Sequence, residues 1–119
     1  MGYSIDLRCQ VTGETLQLDS PHHMRGSTYA IGGSCEASLD ITYNYAEHYY
    51  RYMCAENGIR TLYDKTGAES IPLLQRAISE LADDATDNYW DGTEGNAKIA
   101  LTQLLALAQM RPDGVWDGD

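Results

Sequence analysis

Phenylalanine is absent from this 119-residue chain, and basic residues are few, with 8 Lys and Arg against 18 Asp and Glu. The formal net charge is −10. Nucleic-acid affinity is carried largely by Lys and Arg that neutralise phosphates, so direct nucleic-acid binding is not expected. Such a surface should instead attract basic proteins. No apolar run approaches the roughly 18 residues of a membrane span, which excludes a membrane partner.

Cysteine is also scarce, and Cys9, Cys35 and Cys54 lack the spacing of a disulfide framework or a zinc motif. The first residues lack the apolar stretch of a secretory signal. We therefore expect reduced thiols, a cytoplasmic location and neither a metal nor another cofactor. Nucleophile-elbow, P-loop and Rossmann glycine patterns are missing too. The sequence favours a non-enzymatic protein.

The alternation of apolar and polar residues predicts strands in the first part of the chain. Positions 3–18 predict one β-hairpin, and residues 28–31 with 35–43 predict a second. Positions 115 and 116 are expected to fold back onto the body of the molecule. Without repeats or linkers, residues 1–119 are expected to form one domain. The prediction is an α+β domain with an N-terminal antiparallel sheet of about four strands.

Helical periodicity dominates the remainder of the chain. Residues 45–57 predict a first helix that Gly58 ends. A second helix is opened either by Thr66, through a capping box, or by Ser70. The third, capped by Thr93 and running from about Glu94 to Met110, is the most apolar and is expected to cover the sheet. About three helices therefore pack against the sheet.

The best candidate for a binding site is the segment from Ser20 to Cys35, SPHHMRGSTYAIGGSC, which contains no acidic residue. It offers hydrogen-bond donors in a chain that is otherwise rich in acids. The fork of Arg25 can hold two phosphate oxygens, and aromatic rings can stack on a nucleobase. We therefore predict a pocket for a small anionic, nucleotide-like ligand, formed by His22, His23, Arg25, Thr28, Tyr29, Gly32, Gly33, Tyr43, Tyr45 and Trp90.

Nine tyrosines without any phenylalanine allow more than one interpretation. The rings can straddle the edge of the core with their hydroxyls outward. They can also form a stacking surface, or the interface of a homo-oligomer. The position of the exposed rings separates these alternatives, because a concave cluster favours a ligand and a flat patch favours oligomerisation.

A second candidate surface is the segment over residues 80–94, which contains no base. Its simplest interpretation is a solvated helix end. The functional alternative is an acidic inhibitor whose carboxylates imitate nucleic-acid phosphates and dock in the basic groove of a nuclease. The residues that would make this contact are Asp83, Asp84, Asp87, Asp91 and Glu94.

Three segments are distinctive: GSTYAIGGSCEASLDITYNYAEHYY, DNYWDGTEGNAKIALTQLLALA and RPDGVWDGD. The chain resembles, over nearly its full length, a family of small uncharacterised proteins of bacteriophages, prophages and their bacterial hosts. The resemblance implies a phage accessory protein in the host cytoplasm, where inhibitors of host defence either occupy a nuclease or sequester a nucleotide signal. The expected function is an anti-defence sponge for a nucleotide-like ligand. The alternatives are an acidic, anti-CRISPR-like inhibitor of a host defence nuclease and an oligomerisation module.

Overall fold

The computed structural model describes residues 2–22, 24 and 33–119, and it confirms a small α+β domain. Within these residues the strands form a three-stranded antiparallel sheet of order β4-β1-β5 and a two-stranded sheet of β2 and β3. The strands are β1 (Gly2–Arg8), β2 (Gln17–His22), β3 (Ser34–Glu36), β4 (Ser38–Thr42) and β5 (Val115–Gly118).

The central strand β1 owes its position to the alternation seen in the sequence. Tyr3, Ile5 and Leu7 face the core and are almost completely buried, while the intervening residues lie on the opposite face. Ile5 pairs with Leu39 of β4 on one side and with Gly118 of β5 on the other. A slip of one residue would exchange the two faces, so burial fixes this register.

Two expectations about the sheet are wrong. The first predicted hairpin does not form as a strand pair, because β1 pairs with β4 and β5 while β2 pairs with β3. The two halves of that hairpin meet at a bridge between Arg8 and Thr15. The larger sheet is also not purely N-terminal, since β5 lies at its edge. Alternation shows which face of a strand is buried, but it does not select the partner strand. The strand predicted at 28–31 lies outside the described residues.

The α-helices of the described chain are α1 (Ala46–Tyr52), α2 (Gly67–Glu80) and α3 (Glu94–Met110). The first predicted helix is too long, because α1 ends at Tyr52 and a 3₁₀ turn begins at Gly58. Gly58 has the expected positive φ, 58°. The start of α2 follows the first of the two alternatives, since Thr66 and Glu69 form a reciprocal capping box. The predicted start and end of α3 are confirmed.

The core lies between the larger sheet and the helices. α3 packs along α2 and against β4, with Leu101 and Leu104 completely buried. Tyr45 and Tyr49 enter the same core in an edge-to-face pair, 6.3 Å between ring centroids. No helix in the described part of the chain has the length and apolar character required to cross a membrane. This packing brings the segment before α1, the end of α1 and the turn at 58–62 close to the start of β1.

Candidate functional site

Half of the predicted donor pocket falls outside the described residues, namely His23, Arg25, Thr28, Tyr29 and Gly32. Of the remainder, His22 uses both ring nitrogens on the backbone. Its Nε2 lies 2.8 Å from the main-chain oxygen of Glu36, and its Nδ1 accepts from the main-chain N–H of Met24 at 3.3 Å. Gly33 has a φ of 81°, a left-handed conformation that favours glycine. Both residues therefore have local structural roles.

The predicted stacking residues that the structure describes lie in different environments. Tyr45 is completely buried and donates its hydroxyl to the main-chain oxygen of Tyr89. Burial raises the pKa of Tyr45 to about 12, and its ring has no exposed face for a ligand. Tyr43 and Trp90, by contrast, are 36% and 44% exposed. Asn44 links their two segments, because its Nδ2 donates to the main-chain oxygen of Trp90 at 2.7 Å.

Tyr3 joins Tyr43 to an arginine. The ring of Tyr3 stands edge-on to that of Tyr43, with centroids 4.7 Å apart and an interplanar angle of 81°. The guanidinium carbon of Arg60 lies 4.9 Å from the centroid of the Tyr3 ring, within the range of a cation–π contact. The ring of Tyr3 thus contacts both the exposed ring of Tyr43 and the guanidinium of Arg60.

Tyr50 completes this group. Its ring packs on Gly58, where a Cβ would lie 3.4 Å from three ring atoms, and it remains 38% exposed. Burial raises the pKa of Tyr3, and the neighbouring Tyr50 and Tyr43 contribute to the shift. We call Tyr3, Tyr43, Tyr50 and Arg60 the tyrosine–arginine face. No sequence pattern predicted it, because its members come from β1, the 3₁₀ turn at 43–45, the end of α1 and the 58–62 turn.

Arg60 differs from three other cations of the described chain, because each of those three forms an ion pair with an acidic side chain. Arg8 pairs with Asp6 and Asp117, and the ion pairs of Lys98 and Arg111 are with Asp83 and Asp113. The Nε of Arg60 donates to the main-chain oxygen of Asp119 at 3.0 Å. Its Nη1 and Nη2 donate no hydrogen bond to any residue in 2–22, 24 or 33–119. The combination predicted around Arg25, an available guanidinium beside aromatic rings, therefore occurs at Arg60.

The acidic segment has structural partners within the fold. Asp83 pairs with Lys98 at 2.6 Å, and Asp84 accepts from the main-chain N–H of Gly95 at 2.8 Å. The second of these bonds satisfies a free N–H in the first turn of α3. Acidic side chains also suit this end of the helix electrostatically. The two carboxylates thus anchor the segment to α3.

The remaining acids of this segment behave in two ways. Asp91 accepts from the hydroxyl of Thr86 at 2.8 Å, and Glu94 accepts from the main-chain N–H of Ala82 at 3.0 Å. The hydroxyl of Tyr52 donates to Glu94 as well, at 3.2 Å. Asp87 is exposed and has no hydrogen bond to the part of the chain that is described. Of the five acids proposed for a partner, four therefore contribute to the fold.

Asn96 organises the loop that carries these acids. It is 3% exposed, and its Nδ2 donates to Thr86, Asn88 and Asp91 at 3.0–3.2 Å. Its Oδ1 accepts from the main-chain N–H of Thr86 at 3.0 Å. A buried amide with all of these partners fixes a loop as effectively as regular secondary structure. This role of Asn96 could not be predicted from the sequence, because hydrogen bonds between a helix and a distant loop have no spacing signature.

The exposed aromatic residues lie outside four depressions of the described surface. These depressions measure about 160 to 370 Å³, and none of the four contains Tyr43, Tyr50 or Trp90 in its wall. Within the described ranges there is also no group of three or more His, Cys, Asp or Glu that could hold a metal ion. None of these four depressions contains a residue of the tyrosine–arginine face.

No protein-family model, curated protein or solved structure matches this chain.

Proposed function

We propose that this protein is a non-enzymatic binding protein that captures a small, planar, anionic ligand of the nucleotide type on its tyrosine–arginine face. The observation that carries the proposal is the contact of Arg60 with the ring of Tyr3, which in turn contacts the exposed ring of Tyr43. In this arrangement a base stacks on a tyrosine ring while a phosphate group meets the guanidinium.

The charge of the chain makes the position of Arg60 significant. A molecule with a net charge of −10 repels anions over most of its surface. An anionic ligand therefore requires a cation that is not already neutralised by a neighbouring carboxylate. Arg60 forms no ion pair with an acidic side chain of the described residues; its Nε is bound to the main-chain oxygen of Asp119, and its Nη1 and Nη2 have no hydrogen bond to them.

The expected affinity is modest from these contacts alone. Stacking contributes about 1–3 kcal/mol per base, and a hydrogen bond to a charged group contributes about 1.5–3 kcal/mol. The loss of translational and rotational freedom on association opposes these contributions, so the two contacts alone give weak binding. Tighter capture requires further donors, and the segment that contains Arg25 is the sequence's candidate for them. In the phage context implied by the resemblance, the ligand would be a nucleotide signal of host defence, sequestered unchanged.

Calorimetric titration with cyclic dinucleotides, ADP-ribose and mononucleotides tests this proposal. Arg60→Gln should weaken binding by roughly 10- to 100-fold, since it removes a charge-assisted contact. Arg76→Gln is the matched control, because Arg76 is an exposed arginine on α2 away from the face, and it should bind like the wild type. Equal losses in the two variants, or no binding of any of these nucleotides, would refute the proposal.

A second candidate is an interface between two copies of the chain. The specific observation in its favour is that Tyr43, Tyr50 and Trp90 are exposed outside the four depressions, as expected for a flat interface rich in aromatic residues. Sedimentation over a hundredfold range of concentration distinguishes the candidates. A dimer that dissociates on Tyr50→Ser would favour the interface, and a monomer at all concentrations would exclude it.

A further inference from the structure

Three hydrogen-bond donors from separate parts of the chain converge on Asp119. The main-chain N–H of Ser4 donates to Oδ1 of Asp119 at 2.9 Å. The Nε of Arg60 and the hydroxyl of Tyr63 donate to the main-chain oxygen of Asp119, at 3.0 and 3.2 Å. An amide at the side-chain carboxylate, with a guanidinium and a phenol at the main-chain oxygen of the same residue, is a set of donors that suits carboxylate or phosphate oxygens.

Gly118 allows Asp119 to reach these donors. A Cβ on Gly118 would lie 2.6 Å from the main-chain oxygen of Ser4 and 2.6 Å from the hydroxyl oxygen of Tyr63. Both distances are shorter than real contacts of a Cβ atom, and the oxygen of Ser4 belongs to the sheet and cannot easily move. Any larger residue at this position would therefore shift residue 119 away from the donors.

The donors keep their protons at neutral pH. Burial raises the pKa of Tyr63 to about 12, and Asp119 acts in the same direction. The hydroxyl of Tyr63 is therefore a permanent donor, and Arg60 is permanently charged. An anion that replaced Asp119 would meet the same three donors without any protonation step.

We infer that Ser4, Arg60 and Tyr63 form the anion subsite of the ligand, and that Asp119 fills this subsite as an internal competitor. The inference rests on the proposed function, because it places the phosphate of the ligand at Arg60 and its base on the adjacent rings of Tyr43 or Tyr50. Binding then requires the displacement of Asp119. The apparent affinity equals the intrinsic affinity multiplied by the fraction of molecules in which Asp119 has left the donors.

Removal of the competitor and removal of a donor should have opposite effects on binding. A chain that ends at Gly118 should bind ADP and inorganic pyrophosphate at least about threefold more tightly than the full chain. Tyr63→Phe should bind both more weakly, by about 2- to 10-fold, because one donor is lost. Adenosine, which has no phosphate, should respond to none of these changes. If residue 119 had a purely structural role, affinity for ADP and pyrophosphate would not rise in the shortened chain and fall in Tyr63→Phe while affinity for adenosine stayed the same.

Asp87→Asn is the control for net charge, because it also removes one exposed carboxylate. Calorimetry with the three probes should give it the affinity of the wild type. If the chain that ends at Gly118 binds no better than Asp87→Asn, while wild-type binding of ADP depends on Arg60, the subsite inference fails and the proposed function stands. If neither the full chain nor the shortened chain binds ADP or pyrophosphate, both fail. Melting curves accompany each variant and show whether it is folded.

Discussion

The indole N–H of Trp116 donates to the hydroxyl of Ser70 at 2.8 Å, and both side chains are completely buried. This bond ties β5 to α2. The backbone of Trp116 is bound on its other side as well, since its N–H donates to the oxygen of Lys65 and its oxygen accepts from the N–H of Asp64. The end of the chain therefore belongs to the core and carries Gly118 and Asp119 to their positions beside Arg60.

We expect Ser70→Ala to lower the free energy of unfolding by about 1–3 kcal/mol, because it leaves the buried indole N–H without an acceptor. Ser79→Ala is the control on the same helix, since the hydroxyl of Ser79 is exposed and bonds only to the oxygen of Arg76. Urea unfolding of both variants measures the difference. Equal midpoints for the two would show that the bond between Trp116 and Ser70 is not important for stability.

Asn96→Ala should release the loop over residues 82–93. The substitution removes the acceptor of the Thr86 N–H and the donors to Asn88 and Asp91, so we expect a loss of about 2–3 kcal/mol. Hydrogen exchange provides the local measurement. The amide of Thr86 should lose its protection while amides in the middle of α3 retain theirs. Unchanged protection of Thr86 would contradict the role assigned to Asn96.

The acids of the 83–94 segment should differ in their effect on stability. Asp84→Ala should destabilise the protein by about 1 kcal/mol, since it frees an N–H in the first turn of α3. Asp87→Lys should change stability by less than about 0.5 kcal/mol. Thermal melts compare the two. The acidic-inhibitor alternative makes a separate prediction, that Asp87→Lys slows association with a basic nuclease and weakens its salt dependence.

The capping box of α2 should give a pH-dependent contribution. The hydrogen bond from the N–H of Thr66 lowers the pKa of Glu69 in the folded protein. A carboxyl group with a lowered folded pKa stabilises the native state above its unfolded pKa, and this contribution disappears as pH falls through the folded pKa. The difference in Tm between the wild type and Glu69→Ala should therefore be largest near neutral pH and shrink below about pH 4. A difference that is constant from pH 7 to pH 3 would contradict this role for the carboxylate.

Local signals predicted the helices more successfully than the sheet or the site. Thr66, with Glu69 three residues later, and Thr93 before an apolar run mark helix starts through bonds made within one turn, so neighbouring residues are sufficient to recognise them. The partners of β1 lie more than 30 residues away in β4 and more than 100 away in β5, and alternation contains no information about such pairings.

The same limit applies to the candidate site. Tyr43 and Tyr45 are two residues apart, yet one is exposed and the other is completely buried. Both belong to the same tyrosine-rich segment, and only the packing of the segment against α3 and the 82–93 loop separates their roles. Arg60 meets Tyr3 across 57 positions of sequence, so no motif could have brought them together. The predictions for Arg25 and its neighbours remain predictions.

The most direct test of the proposed function is a two-dimensional NMR titration of the isotopically labelled full chain with ADP. We expect progressive shifts in the side-chain Nε–H signal of Arg60 and in the ring signals of Tyr43 and Tyr50, all following one binding curve. The signals of Asp83, Asp84 and Asp87 should remain in place. Shifts confined to the 83–94 segment, or no shift at the tyrosine–arginine face at saturating ADP, would contradict the proposal that this face binds a nucleotide.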